Sequence, residues 1–377
     1  MPVPMYKKIA DELIDKIEKG ELRSGDKLPT EVELGGAYGV SRITVTHAVR
    51  ILQNRNLVYR VKGSGTFITR RPAAGVGGDA RPATGVSFIS VIFPQGEQNG
   101  AHETLMGIEN ECAEGDFYVT IHNSKNKHAL EHSIIVNLRD QGCGGIIIYP
   151  CFAAHRNVDI FSELIIRDFP FVFIDRHMDF LRAPFVACDN EPAMRALVAH
   201  LIERGHTRIG FFCNSIEAVP SEHERFKGYC EAHIDARIPL NQGLVFRRTR
   251  NFENPVDILD SDEKNSLHHA DQALSHFLDL PERPTCVAAV NDGLAMALMK
   301  AAIARGIRVP TELAITGFDD LNIAAHLEVP LTTVRQPFQK IGSEAARLLL
   351  LGRIKGNAPP DAEIRVPAEV VIRASAP

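Results

Sequence analysis

The sequence predicts two folds in series: a small α+β unit of three helices and a hairpin over residues 1–70, and a large parallel α/β unit over 86–377, joined by a flexible linker at 71–85. Three observations predict it. Helical apolar spacing with cap residues recurs before residue 55. A Pro-, Gly- and Ala-rich run at 70–85 has neither apolar period nor helix signal. Beyond it, buried-type apolar runs alternate with amphipathic stretches, the pattern of a sheet covered by helices.

In the first unit Ile9, Leu13 and Ile17 repeat every four residues over 5–19, one face of a helix that Gly20 terminates. Thr30-Glu31-Val32-Glu33 reads as a capping box opening a short second helix that ends at Tyr38-Gly39. Ser41 caps a third helix with Val45, Ala48, Val49 and Leu52 on its inner face. Arg42, Ile43, Thr46, His47 and Arg50 then face outward. The β-like runs 57–61 and 66–69 flank Lys62-Gly63-Ser64-Gly65, whose glycines permit positive φ and close approach of backbone N–H groups to phosphate. Two helices around a glycine-bearing turn, a third element and a hairpin make a winged helix-turn-helix. An isolated Arg- and Thr-rich helix is ordinarily a solvated face; the complete order of elements points to DNA instead, with Arg42 placed to read a base edge.

Charge follows the same division. Residues 1–71 hold 13 Lys and Arg against 8 Asp and Glu, a balance of +5 within a chain of net charge -5, as a DNA-binding head on a body that does not bind DNA would show.

These head residues resemble the GntR family of winged helices through Ile9-Ala10-Asp11, Gly25-Asp26-Lys27-Leu28-Pro29-Thr30-Glu31, Gly39-Val40-Ser41-Arg42, Thr44-Val45 and Gly63-Ser64-Gly65-Thr66-Phe67. The resemblance implies base or phosphate contacts by Arg42, Thr44, Lys62, Gly63, Ser64 and Gly65, to which the outward Thr46, His47 and Arg50 are added. Val32 and Thr46 stand where many members have arginine, and Asn56 where many have glycine, which shifts base reading toward Arg42.

In the second unit the segments 86–93, 117–122, 145–149, 171–174, 208–213, 286–290 and 313–317 read as strands, and 191–204, 221–234, 294–305 and 338–351 as helices. These units exceed what one open sheet of ordinary size needs, so two lobes with a cleft are expected, ligands binding beyond the carboxyl ends of the strands. The segments Asp189-Asn190-Glu191, Gly205-His206-Thr207-Arg208-Ile209-Gly210, Glu224-Arg225-Phe226-Lys227-Gly228-Tyr229, Asn291-Asp292-Gly293-Leu294-Ala295, Gly317-Phe318-Asp319-Asp320 and Thr332-Thr333-Val334-Arg335-Gln336-Pro337 resemble the sensor domain of LacI-type regulators and the related periplasmic sugar-binding proteins. That implies a type I periplasmic-binding-protein-like fold and places Asp175, Arg225, Asn291 and Asp319 at an effector cleft, with Phe338 as an apolar wall. Carboxylates accepting hydroxyl hydrogens beside a guanidinium fork suit a polyol. Alternative readings are a surface cation for Arg225, a turn residue for Asp319 and a helix cap for Asn291. Gln98, His102 and Glu103 border the same cleft.

Other chemistries find little support. No apolar run approaches the roughly 20 residues of a membrane helix, and the charged N-terminus offers no signal-peptide core, so a cytoplasmic protein is expected. Cys112, Cys143, Cys151, Cys188, Cys213, Cys230 and Cys286 form no Cys-x-x-Cys pair. His128 and His132 share the i, i+4 spacing of a metal pair, but no third ligand is evident from sequence. Gly142-Cys143-Gly144-Gly145 precedes a strand and opens no helix, unlike a dinucleotide loop, and neither a phosphate-cradling loop nor a nucleophile elbow occurs. No metal, cofactor or catalytic residue is therefore assigned. The expected protein is a homodimeric repressor that binds an inverted-repeat operator in double-stranded DNA under control of a mono- or oligosaccharide effector; the alternatives are a DNA-tethered sugar-processing enzyme and a regulator carrying pyridoxal phosphate.

Overall fold

The computed structural model describes residues 5–19, 21–22, 26–54, 57–61, 65–68, 87–94, 100–115, 117–151, 157–178, 180–217, 219–247, 263–355 and 361–377. The chain divides into a unit ending at Gly85 and one running from Val86 to Pro377. The linker expected at 71–85 lies outside the described residues.

The first unit runs α1 (Met5–Glu18), β1 (Lys27–Leu28), α2 (Glu31–Tyr38), α3 (Arg42–Asn54), β2 (Val58–Val61) and β3 (Gly65–Ile68). Each helix starts and stops for a local reason. The Thr30 backbone N–H donates to Glu33 at 2.7 Å and the Glu33 N–H to the Thr30 hydroxyl at 3.3 Å, which completes the capping box. Gly39 ends α2 at φ 63, a left-handed conformation that glycine adopts without a Cβ penalty. The expected inner face of α3 is buried: Val45, Ala48, Val49 and Leu52 pack with Ile9, Leu13 and Leu34 in one core. β3 pairs antiparallel with both β2 and β1, so the hairpin is sewn back onto the helices.

The second unit continues with β4 (Ser87–Phe93), α4 (Ala101–Glu114), β5 (Phe117–Asn123), α5 (His128–Asp140), β6 (Ile146–Ile148), α6 (Val158–Ile166), β7 (Phe171–Ile174) and β8 (Phe185–Cys188). It then runs α7 (Asn190–Glu203), β9 (Ile209–Cys213), α8 (Pro220–Asp235), β10 (Val245–Arg247), α9 (Glu263–Asp279), β11 (Cys286–Ala289), α10 (Asp292–Ala304) and β12 (Ala314–Thr316). The last elements are β13 (Thr333–Arg335), α11 (Phe338–Lys355), β14 (Glu363–Val366) and β15 (Glu369–Val371). Two parallel sheets result, in the orders β14-β8-β7-β6-β4-β5 and β10-β9-β11-β12. The chain leaves the first lobe after β8, builds the second, and returns at α11 and β14. β13 and β15 form an antiparallel pair between these passages. The central strands are buried on both faces, β6, β7, β8, β9 and β11 throughout, which is why they read as continuous apolar runs without alternation.

Helices α4 and α11 cross closely because glycine lines both. A Cβ at Gly107 would stand 2.0 Å from the Gln339 carbonyl oxygen, and one at Gly342 2.0 Å from that of Thr104. Gly107→Ala is therefore expected to cost at least the roughly 1–3 kcal/mol of an overpacked core, read as a lower urea midpoint for the large unit. An unchanged midpoint would show that the two helices do not pack this tightly.

Candidate functional site

Helix α3 of the head presents an exposed position opposite its buried face. Thr46 is exposed on α3 opposite the buried Val45, Ala48, Val49 and Leu52. Thr44 is half-buried and engaged locally: its N–H donates to the Ser41 hydroxyl at 3.3 Å and the two hydroxyls lie 2.9 Å apart. It thus belongs to the cap of α3. Arg42, His47 and Arg50 lie on α3, but their side chains fall outside the described residues, as do Lys62, Gly63 and Ser64; Gly65 opens β3.

The large unit gathers charged and polar side chains at the carboxyl ends of its strands. Arg225 of α8, only 5% exposed, is the hub. Its Nε donates to Asn190 Oδ1 at 2.9 Å and its Nη1 to the Val290 carbonyl at 2.6 Å; its guanidinium lies 3.8 Å from the centre of the Phe318 ring and 3.8 Å from Asp319 Oδ1. Gln336 Nε2 donates to the same Asp319 oxygen at 2.6 Å. Asn190, in turn, donates to Glu224, which accepts from Arg365 at 2.7 Å. One network therefore links α7, α8, the segment following β12, the segment leading into α11 and β14. The surface-cation reading of Arg225 is excluded by its burial.

Asp175 stands after β7 at φ 61 and accepts a hydrogen bond from the Tyr149 hydroxyl, with the Arg176 Nε at 3.9 Å. Arg176 lies over the Tyr149 ring at 4.5 Å and donates to the Pro150 carbonyl. Burial and the neighbouring carboxylate push the Tyr149 phenol well above its ordinary range, so it is a neutral donor to Asp175. Asp319 is held at φ 136. Two of the expected effector carboxylates thus occupy positive-φ backbone, a strain that concentrates at functional sites.

Asn291 behaves differently. Its Oδ1 accepts from the Leu294 N–H at 2.8 Å and caps α10, so the cap reading holds. Phe338 opens α11 half-buried and packs against Gly100, where a Cβ would meet its ring at 2.3 Å. A cavity of about 1040 Å³ is lined in part by Glu103, Asp319, His326, Gln336, Phe338 and Arg373. Asp175, Arg225 and Asn291 are not among its described lining residues; Arg225 reaches the cavity's lining through Asp319. His102 is exposed, and Gln98 lies outside the described residues.

Sequence reasoning passed over Gln336, Asn190, Tyr149 and Arg176 as site residues. The first two sit in the very segments that carry the LacI-type resemblance; the last two are marked by no motif.

Comparison with known proteins accords with this geometry. Residues 5–68 match the model of the gntR family of bacterial regulatory proteins, and residues 198–376 that of a periplasmic binding protein-like domain. The chain is 28% identical over 357 residues to the arabinose metabolism transcriptional repressor of Geobacillus stearothermophilus, covering 92% of this chain and 91% of that protein. Two solved structures match with TM-scores of 0.64 and 0.63: a LacI-family regulatory protein from Chloroflexus aggregans, 27% identical over 77% of this chain and 98% of that one, and the GntR transcription regulator of Chromobacterium violaceum, 26% identical over 77% and 99%. The matched proteins are transcription regulators rather than enzymes. The chain thus joins a gntR-type winged helix to a periplasmic binding protein-like domain and is homologous to arabinose repressors and LacI-family regulators.

Proposed function

We propose that the chain is a sequence-specific transcription repressor whose hold on DNA is set by a small polyol, a mono- or oligosaccharide, bound between the lobes of its large unit. One observation carries the reading: the chain that holds the winged helix also holds a cleft network, Arg225 with Asp319 and Gln336, in which a guanidinium, a carboxylate and an amide converge. Such groups suit adjacent hydroxyls: the carboxylate, which now accepts the Gln336 amide hydrogen, can accept a hydroxyl hydrogen instead, and the amide and guanidinium donate to sugar oxygens. Asp175 and Asp319 are matched by Arg176 and Arg225, a balance that favours an uncharged ligand.

In this reading two copies associate through their large units, place two heads on the halves of an inverted repeat, and act in the cytoplasm. Helix α3 enters the major groove, Arg42 reads base edges, and Thr46, His47, Arg50 and the wing at Lys62–Gly65 hold phosphates. Effector alters operator affinity only by its differential affinity for the two lobe arrangements, ordinarily a coupling of about 1–3 kcal/mol.

The test takes the full chain, an operator selected from a random duplex pool, and a thermal-shift screen over mono- and disaccharides. A true effector raises the melting temperature as ligand binding to a folded protein must, and changes operator affinity about 5- to 150-fold. A sugar that stabilises the protein yet leaves operator affinity untouched would refute effector control. No stabilisation by any sugar alongside a shift with a nucleoside would move the ligand class.

A further inference from the structure

Behind the cleft, α5 and the segment following β6 bring together an imidazole, a carboxylate and a thiol that the effector site does not use. The metal-binding donor atoms of His128, Glu131 and Cys151 all lie within 4.8 Å of one another. His128 and Glu131 are one helical turn apart on α5, on the same face, and Cys151 arrives from the end of β6. Glu131 is 1% exposed and Cys151 5% exposed. A carboxylate buried to this depth gains from a neighbouring cation.

The cluster is also held in place. The Asn157 amide donates to Glu131 Oε1 and to the His128 carbonyl, at 2.8 and 2.9 Å, and the Cys151 N–H donates to Glu131 Oε2 at 2.8 Å. Ser124 Oγ lies 3.1 Å from the Cys151 sulfur. Each carboxylate oxygen keeps a second lone pair, and hydrogen bonds to the far side of ligating groups are how metal sites orient them.

We infer that His128, Glu131 and Cys151 form a site for a divalent cation of the zinc class, independent of the effector cleft. A nitrogen, oxygen and sulfur set is borderline-soft, which suits zinc or cobalt(II) and disfavours calcium or magnesium, whose ligands are oxygens. Tetrahedral bond lengths near 2.0–2.3 Å require donors to close to roughly 3.5 Å, a change within reach of side-chain rotation. The partial positive charge at the start of α5 opposes a cation; two anionic ligands, thiolate and carboxylate, outweigh it. Binding displaces the Cys151 proton to solvent and leaves the metal held by three protein donors, water completing the set. His132 takes no part: its Nε2 faces Asp159 at 3.8 Å. The cation would pin α5 to the segment Tyr149-Pro150-Cys151, whose first residue donates to Asp175.

The experiment titrates cobalt(II) into chelator-treated full-length protein under reducing conditions. Wild type is expected to take up about one equivalent with the d–d bands of a tetrahedral ion and a thiolate-to-cobalt charge-transfer band. Cys151→Ser should remove the charge-transfer band, His128→Gln should weaken affinity at least about tenfold, and His132→Gln should behave as wild type. Metal-free melting curves identify any variant that fails to fold, and the half-exposed His128 position keeps the test open if Cys151→Ser does. No charge-transfer band in wild type, a band that survives Cys151→Ser, or an affinity indifferent to His128→Gln would overturn the assignment.

Discussion

Arg225→Ala is expected to abolish the effector's control over operator binding while leaving effector-free operator affinity largely unchanged. The guanidinium is held by Asn190 and the Val290 carbonyl, lies over Phe318, and faces Asp319. Truncation removes the cation that faces Asp319 and leaves Asn190 Oδ1 and the Val290 carbonyl without the guanidinium donor. Removing one partner of a buried charge pair costs about 3–5 kcal/mol, visible as a lower melting temperature of the large unit. Arg225→Lys restores charge without the planar fork, so it should recover stability more than effector response. The pair of variants separates loss of fold from loss of ligand. Operator titrations with and without effector decide the matter: a wild-type effector midpoint in Arg225→Ala would remove this residue from the site.

Arg42→Ala should reduce the preference for operator over unrelated duplex by about 1–3 kcal/mol, roughly fivefold to more than a hundredfold, the discrimination carried by one bidentate base contact. This rests on the position of Arg42 at the start of α3 behind the Ser41 cap, and on Thr46, where related heads often carry arginine. Replacing Lys62 should act differently, weakening operator and random duplex alike and lowering the salt dependence by about one phosphate's worth. Competition binding at several salt concentrations distinguishes the two. Equal losses on both duplexes from Arg42→Ala would make it a phosphate contact.

The sequence named some of the residues that the fold brings together, for reasons that differ by residue. Arg225 and Asp319 were expected at one cleft and stand 3.8 Å apart. Gln336, 7% exposed and bonded to Asp319 at 2.6 Å, was not singled out, because an amide in a Thr-Val-Arg-Gln run has no periodicity to betray its partner. Asn291 sits next to the cleft but gives its oxygen to the α10 cap, a local use that competes with ligand binding. The i, i+4 spacing of His128 and His132 assigned no metal site. The imidazole that meets a carboxylate and a thiol does so at i, i+3 and with a residue from the segment following β6.

The sequence by itself determined whatever is settled within a few residues. That includes the capping box at Thr30 and Glu33, the glycine stop at Gly39, the buried face of α3 and the alternation of strand and helix through most of the large unit. Such features depend on hydrogen bonds and side-chain periods spanning a turn or two, and the residue types state them directly. Tertiary structure alone decided which strands became neighbours. β14 pairs in parallel with β8, joining Glu363 to Phe185 across the whole second lobe, and β8 itself is a four-residue apolar run too short to identify in isolation. The charges of Glu224, Arg225, Asp319 and Arg365 meet because the chain returns to the first lobe after building the second. Burial at that crossing joins ordinary surface residue types into one polar network, and pairing over such separations leaves no local pattern to read.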